Sequence, residues 1–209
     1  MKGAIVLCVL ALCSATANAT IIFEPQPFRR ISAQGFNSPL GVYDQLTGLG
    51  QFESYGSYAG QRSRIDEVGI EYYGRVRNGG LLDRDASSYL AATFSSDAPY
   101  RVDLVYDFRD PENPGEGQGW VEIRESVSGL RLIYLPGVSQ TAGHRAVVLT
   151  PGIAYELTIL QAEPLAQYST WNVKMTFIPE PSTIVLLAFG LAWLALSKGG
   201  LRVSTGGRS

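Results

Sequence analysis

From Trp171 to Phe177 the chain alternates without a break, with Trp171, Val173, Met175 and Phe177 apolar and Asn172, Lys174 and Thr176 polar. A repeat of two does not fit a helix, where one face recurs every three or four residues. It fits a strand with one buried and one wet face. Val102, Leu104, Tyr106 and Phe108 repeat the pattern against Arg101, Asp103, Asp107 and Arg109, and Tyr155, Leu157 and Ile159 repeat it after the turn Pro151-Gly152. Further strands are expected at 50–58, 65–77, 88–94, 120–125, 130–135 and 145–150, where Tyr, Val, Ile and Thr cluster between Gly, Pro, Asn and Asp. About nine strands joined by short polar turns such as Ser128-Gly129 predict an all-β fold. The expected architecture is an antiparallel β-sandwich, jelly-roll-like, and not a parallel sheet. Two stretches read as irregular: a lead-in over 24–39 with three prolines, and an acidic, Pro- and Gly-rich loop over 110–119. No internal repeat has solenoid or propeller spacing.

Both ends of the chain read as targeting segments. Lys2, the apolar residues 4–12 and the A-x-A site Ala17-Asn18-Ala19 make residues 1–19 a signal peptide, so the exported chain begins near Thr20. Cys8 and Cys13 fall in the removed segment, which leaves no thiol, disulfide or cysteine metal ligand. Leu12 occupies a place where lipidation of Cys13 would need a small residue. At the other end, Pro179-Glu180-Pro181 is followed by an apolar run over 184–196 and then by Lys198, Arg202 and Arg208. At ~1.5 Å per residue that run spans roughly 20 Å of a hydrocarbon core about 30 Å thick, which suits a transient hold in the membrane. Its basic end would stay cytoplasmic.

This arrangement of Pro-Glu-Pro, hydrophobic segment and basic tail resembles the PEP-CTERM sorting signal of Gram-negative bacteria. The resemblance implies that residues 179–209 are a sorting signal with Pro179, Glu180 and Pro181 as its motif. It implies an exosortase and the export machinery as partners. It also implies a precursor in the inner membrane that is delivered to the cell envelope or the extracellular matrix. The hairpin before the tail, Thr150-Pro151-Gly152 and Tyr155-Glu156-Leu157-Thr158, is loosely similar to the last hairpin of such substrates. The basic residues are dispersed as far as Arg208, where the common tail clusters them at the membrane boundary. Such tails give an address and assign no activity.

Residues 20–178 are long enough for one domain with a substantial core. They hold twelve Arg and one Lys against eighteen Asp and Glu, a net charge of −5. Nothing in this segment builds the basic face that a phosphate backbone requires, so nucleic acid is excluded as a partner. Anionic lipid would repel the domain.

The residue inventory points away from catalysis. His144 is the only histidine, it reads as the entry of a strand, and no serine sits in a G-x-S-x-G elbow. Zinc would have to rely on that one His and carboxylates. Asp103 and Asp107 share a strand face with backbones about 13 Å apart at ~3.3 Å per residue. Glycosidase carboxylates are about 5 to 9.5 Å apart, so a glycan hydrolase would need carboxylates from separate strands. Asp103 and Asp107 read instead as cross-strand partners of arginines. Asp107, Asp110, Glu112, Asn113 and Glu116 supply hard oxygens on one loop, the donor type calcium takes, without EF-hand spacing. Tyr55, Tyr58, Tyr72 and Tyr73, with Arg75 and Arg77 nearby, are candidates for a glycan-stacking platform. The expected function is that of an exported surface or matrix protein in a non-enzymatic, structural or adhesive role. The alternative is a carbohydrate-binding module in the exopolysaccharide matrix, and a glycan hydrolase stands third.

Overall fold

A computed structural model of the chain describes residues 19–33, 44–55, 58–77, 86–109, 118–137, 141–163, 168–180 and 190. The described residues form thirteen strands where the sequence suggested about nine. They are β1 Ile21–Phe23, β2 Phe28–Ala33, β3 Asp44–Thr47, β4 Gly50–Tyr55, β5 Ala59–Asp66, β6 Gly69–Arg77 and β7 Ala86–Ser96, followed by β8 Tyr100–Arg109, β9 Gln118–Glu125, β10 Arg131–Pro136, β11 Thr141–Leu149, β12 Tyr155–Glu163 and β13 Tyr168–Pro179. Residues 20–179 cluster as one compact unit. Of the expected signal peptide over 1–19 only Ala19 is described, and of the expected sorting signal over 179–209 only residues 179, 180 and 190 are described.

The strands lie in two antiparallel sheets. The larger has the order β10-β9-β12-β7-β2-β3, with β1 also pairing β7, and the smaller has the order β11-β8-β13-β6-β5-β4. From β6 onward the pairing is nested: β9 with β10, β8 with β11, β7 with β12, and β6 with β13, the pairs alternating between the sheets. A long antiparallel ribbon wound upon itself produces this order, which is the connectivity of a double-sheet jelly roll. The N-terminal strands widen both sheets.

Alternation places the core. Trp171, Val173, Met175 and Phe177 of β13 are buried, as are Val102, Leu104, Tyr106 and Phe108 of β8 and Tyr155, Leu157 and Ile159 of β12. At one end, Phe94 of the larger sheet meets Phe177 of the smaller edge-on at 5.2 Å between centroids and stacks on Tyr155 at 6.1 Å. Polar side chains also cross the interior. Tyr72 Oη on β6 donates to Ser88 Oγ on β7 at 2.9 Å, and Ser88 Oγ donates to Gln61 Oε1 on β5 at 3.0 Å. Gln161 Nε2 on β12 donates to Ser169 Oγ on β13 at 2.7 Å, and Gln161 Oε1 lies 3.2 Å from Tyr72 Oη. Gly74 makes room for this chain of bonds, since a Cβ there would sit 2.1 Å from Gln161 Oε1 and 2.2 Å from Tyr72 Oη.

Three sequence expectations need correction. The stretch 65–77 is not one strand: Asp66 Oδ1 accepts from the backbone N–H groups of Val68 and Gly69, both at 3.0 Å, and this side-chain turn separates β5 from β6. The lead-in over 24–39 contains β2, an interior strand of the larger sheet held between β7 and β3. His144 is not at a strand entry, because β11 begins at Thr141 and His144 pairs with Val105 in its middle.

Candidate functional site

Sheet register assembles the outer face of the smaller sheet. One row crosses four strands as Glu53, Arg62, Tyr73 and Asn172, and the next crosses them as Gln51, Arg64, Glu71 and Lys174. Together they line a shallow groove of about 580 Å³. Arg62 lies over the Tyr73 ring at 5.9 Å, a cation–π contact. Lys174 Nζ stands 3.0 Å from Glu71 Oε1, and Arg64 pairs with Asp66 at 2.7 Å. One ring surrounded by amide, carboxylate and cationic groups offers a stacking surface and donors and acceptors on every side. Its chemistry fits a hydroxyl-rich ligand.

The four candidate tyrosines do not form one platform. Tyr73 lies in the groove, and Tyr55 is exposed on the edge strand β4, its ring laid over Gly60. Tyr58 packs against Val76 and Ala86. Tyr72 is 1% exposed and belongs to the interior bonds described above. Adjacent residues of a strand point to opposite faces, so Tyr72 and Tyr73 cannot serve one surface.

Several carboxylates are engaged by cations. Arg101 Nε donates to Asp103 at 2.7 Å, and Arg109 Nη2 to Asp107 at 2.7 Å. These are pairs along β8, two residues apart, where cross-strand pairs were expected. His144 Nε2 is 3.5 Å from Asp103 Oδ1. Arg124 Nη2 reaches Glu156 at 2.6 Å, and Ser126 donates to the same carboxylate at 2.8 Å. The Ser126 hydroxyl, then Arg124, hold the Glu156 carboxyl below its ordinary range. Arg131 Nε donates to the nearly buried Glu122 at 2.6 Å. Among the described residues, no three His, Cys, Asp or Glu side chains converge as a metal site. Of the calcium candidates only Asp107 is described; Asp110, Glu112 and Glu116 lie outside the described residues.

Sequence reasoning missed Arg29. It is fully buried on β2, where Nη1 donates to Gly50 O at 2.9 Å and Nη2 donates to Gly48 O, and its guanidinium lies 5.8 Å from the Phe52 ring centroid. Burial lowers its pKa from the ordinary arginine value. Gly48 and Gly50 flank the crossing from β3 to β4, so Arg29 pins the point where the chain passes between sheets.

Among the described residues, no helix is long and apolar enough to cross a membrane. The run 184–196 lies outside them except for Gly190. The chain matches no protein-family model and no curated protein. Among solved structures it is similar to the enzymatically active domain of tailspike protein 4 of bacteriophage CBA120, at 14% identity and a TM-score of 0.32. The match covers 62% of this chain and 19% of that one. A likeness of that size assigns neither fold nor activity.

Proposed function

We propose that the chain is an exported surface or extracellular-matrix protein, sorted through its C-terminal signal by an exosortase and acting by non-covalent contact in a structural or adhesive role. The observation that carries this reading is the change of character at Pro179. There the last described strand ends, and the sequence continues through Pro-Glu-Pro, an apolar run and a basic finish. Asp103, Asp107, Glu122 and Glu156 are each held in an ion pair with an arginine, an arrangement that supports a structural role. Intact-mass measurement of the protein recovered from cells with an active sorting enzyme tests the proposal. The expected chain begins near Thr20 and ends near Pro181, and replacing Pro179, Glu180 and Pro181 with alanine should leave an unsorted precursor. A product still ending at Ser209, or unchanged delivery of the triple variant, would sink it.

The groove favours a second reading, carbohydrate binding within the exopolysaccharide matrix. Tyr73 would stack on a sugar ring while Asn172 and Lys174 bond its hydroxyls. Glycan arrays read with and without a chelator separate this role from any calcium requirement of the loop carrying Asp110, Glu112 and Glu116. Loss of the array signal from neutral glycans in Tyr73→Ala is the expected result, and an unaltered neutral-glycan signal contradicts it.

A further inference from the structure

The outer face of the larger sheet is built on different chemistry. On β7, Leu90, Ala92 and Phe94 point inward, and the intervening Tyr89, Ala91 and Thr93 take the outer face. Register carries this phase across the sheet. Tyr89 stands opposite Arg30 on β2 and Leu160 on β12, Leu160 opposite Trp120 on β9, and Trp120 opposite Pro136 on β10. The row crosses five strands, or four spacings of about 4.8 Å, and is roughly 19 Å long. Phe28 adds a ring 6.1 Å from that of Tyr89. The outer face of a sheet ordinarily carries polar side chains, and the half-buried run of Tyr89, Leu160 and Trp120 beside Arg30 marks a contact surface.

Charge narrows the partner. The face carries Arg30, Arg124 and Arg131 against Glu122 and Glu156, in a domain whose net charge is −5. Arg131 takes Glu122, and Arg124 takes Glu156. Arg30 has no carboxylate partner among the described residues: its guanidinium lies 5.7 Å over the Tyr89 ring, and its buried Nε makes no hydrogen bond. We infer that this face binds a linear polysaccharide bearing carboxylates, with Tyr89 and Trp120 stacking on sugar rings and Arg30 receiving a carboxylate. A guanidinium forms paired hydrogen bonds to a carboxylate, and ring stacking orients its plane. The straight row suits an extended polymer better than a compact ligand. A second copy would set the same net-positive strip against itself. This site shares no residue with the groove around Tyr73 and does not depend on processing of the tail.

Calorimetric titration of the purified chain with soluble polygalacturonate and with neutral dextran, at low and at moderate salt, tests the inference. Polygalacturonate should bind at least tenfold more tightly and weaken as salt rises. Tyr89→Ala should reduce its affinity about tenfold, the worth of one well-stacked ring. Arg30→Gln leaves the rings in place and should lower the affinity while flattening the salt dependence. It keeps the test decisive if circular dichroism shows that Tyr89→Ala does not fold. Tyr73→Ala, on the opposite sheet, should change nothing. The inference is overturned by no binding, by equal binding of both polymers, by loss of binding in Tyr73→Ala, or by a sedimenting dimer that Tyr89→Ala abolishes.

Discussion

Tyr72 and Tyr73 are neighbours in sequence, yet one anchors the interior and the other faces solvent. Tyr72 spans the gap between the sheets, donating to Ser88 and lying within reach of Gln161. Replacing it with phenylalanine keeps the ring and removes the hydroxyl, leaving buried polar atoms short of a partner. Tyr72→Phe should therefore cost about 1–3 kcal/mol in chemical denaturation; a change within error would show that solvent or a rearranged glutamine satisfies the site. Burial pushes the Tyr72 phenol above its ordinary value, so the folded protein holds this proton more tightly than the unfolded chain. Its stabilising effect is complete below the unfolded tyrosine pKa of about 10 and falls as pH rises beyond it, a decline that Tyr72→Phe should reduce. Period two separates these two tyrosines, yet the sequence reading grouped both in one platform because it weighed their rings and not their faces. Arg29 was not, because no local pattern marks an arginine whose partners are carbonyls about twenty residues away.

At the scale of elements, strict alternation located β8, β12 and β13, since each buries one face and wets the other. It failed at β2, Phe-Arg-Arg-Ile-Ser-Ala, where Arg29 faces the interior and Arg30 the outer face. The prolines of this stretch made it read as an irregular lead-in. The strip of Tyr89 and Trp120 was hidden for a related reason: a strand with rings or aliphatics on both faces shows no contrast to read. Turn chemistry was marked at Pro151-Gly152, where Gly152 takes a positive φ, and was missed at Asp66, where the expected strand 65–77 ran through the side-chain turn. The β9–β12 pairing has its own clasp, with Glu156 bound by Ser126 and Arg124. Because this carboxyl is depressed in the fold, its contribution is present above the unfolded carboxylate pKa of about 4.3 and is lost as pH falls through the folded value. Thermal melts from pH 7 to pH 3 should show a shallower acid loss in Glu156→Gln than in the parent. Parallel curves would mean that the clasp is too solvated to matter.

The whole molecule places its last strand in the middle of the smaller sheet. β13 pairs with β6 on one side and β8 on the other along most of its length, and its inward side chains Trp171, Val173, Met175 and Phe177 are each almost fully buried. Trp171 meets Phe108 at 4.5 Å between centroids, and it presses on Gly137, where an added Cβ would lie 2.2 Å from the indole. The Pro-Glu-Pro stretch therefore begins where a core strand ends. A chain ending at Pro181 retains all of β13, whereas one ending before Tyr168 exposes the facing edges of β6 and β8 and empties the core of an indole and three further apolar side chains. Burial of such side chains is worth about 1.5–3 kcal/mol each, which together approaches the entire stability of an ordinary domain. The chain 20–181 should give a cooperative melt and resist protease, and the chain 20–167 should be unfolded or aggregated under the same conditions. Cooperative folding of 20–167 would show that the nested pairing of β6 with β13 is dispensable, and with it the jelly-roll account of how the domain is held together.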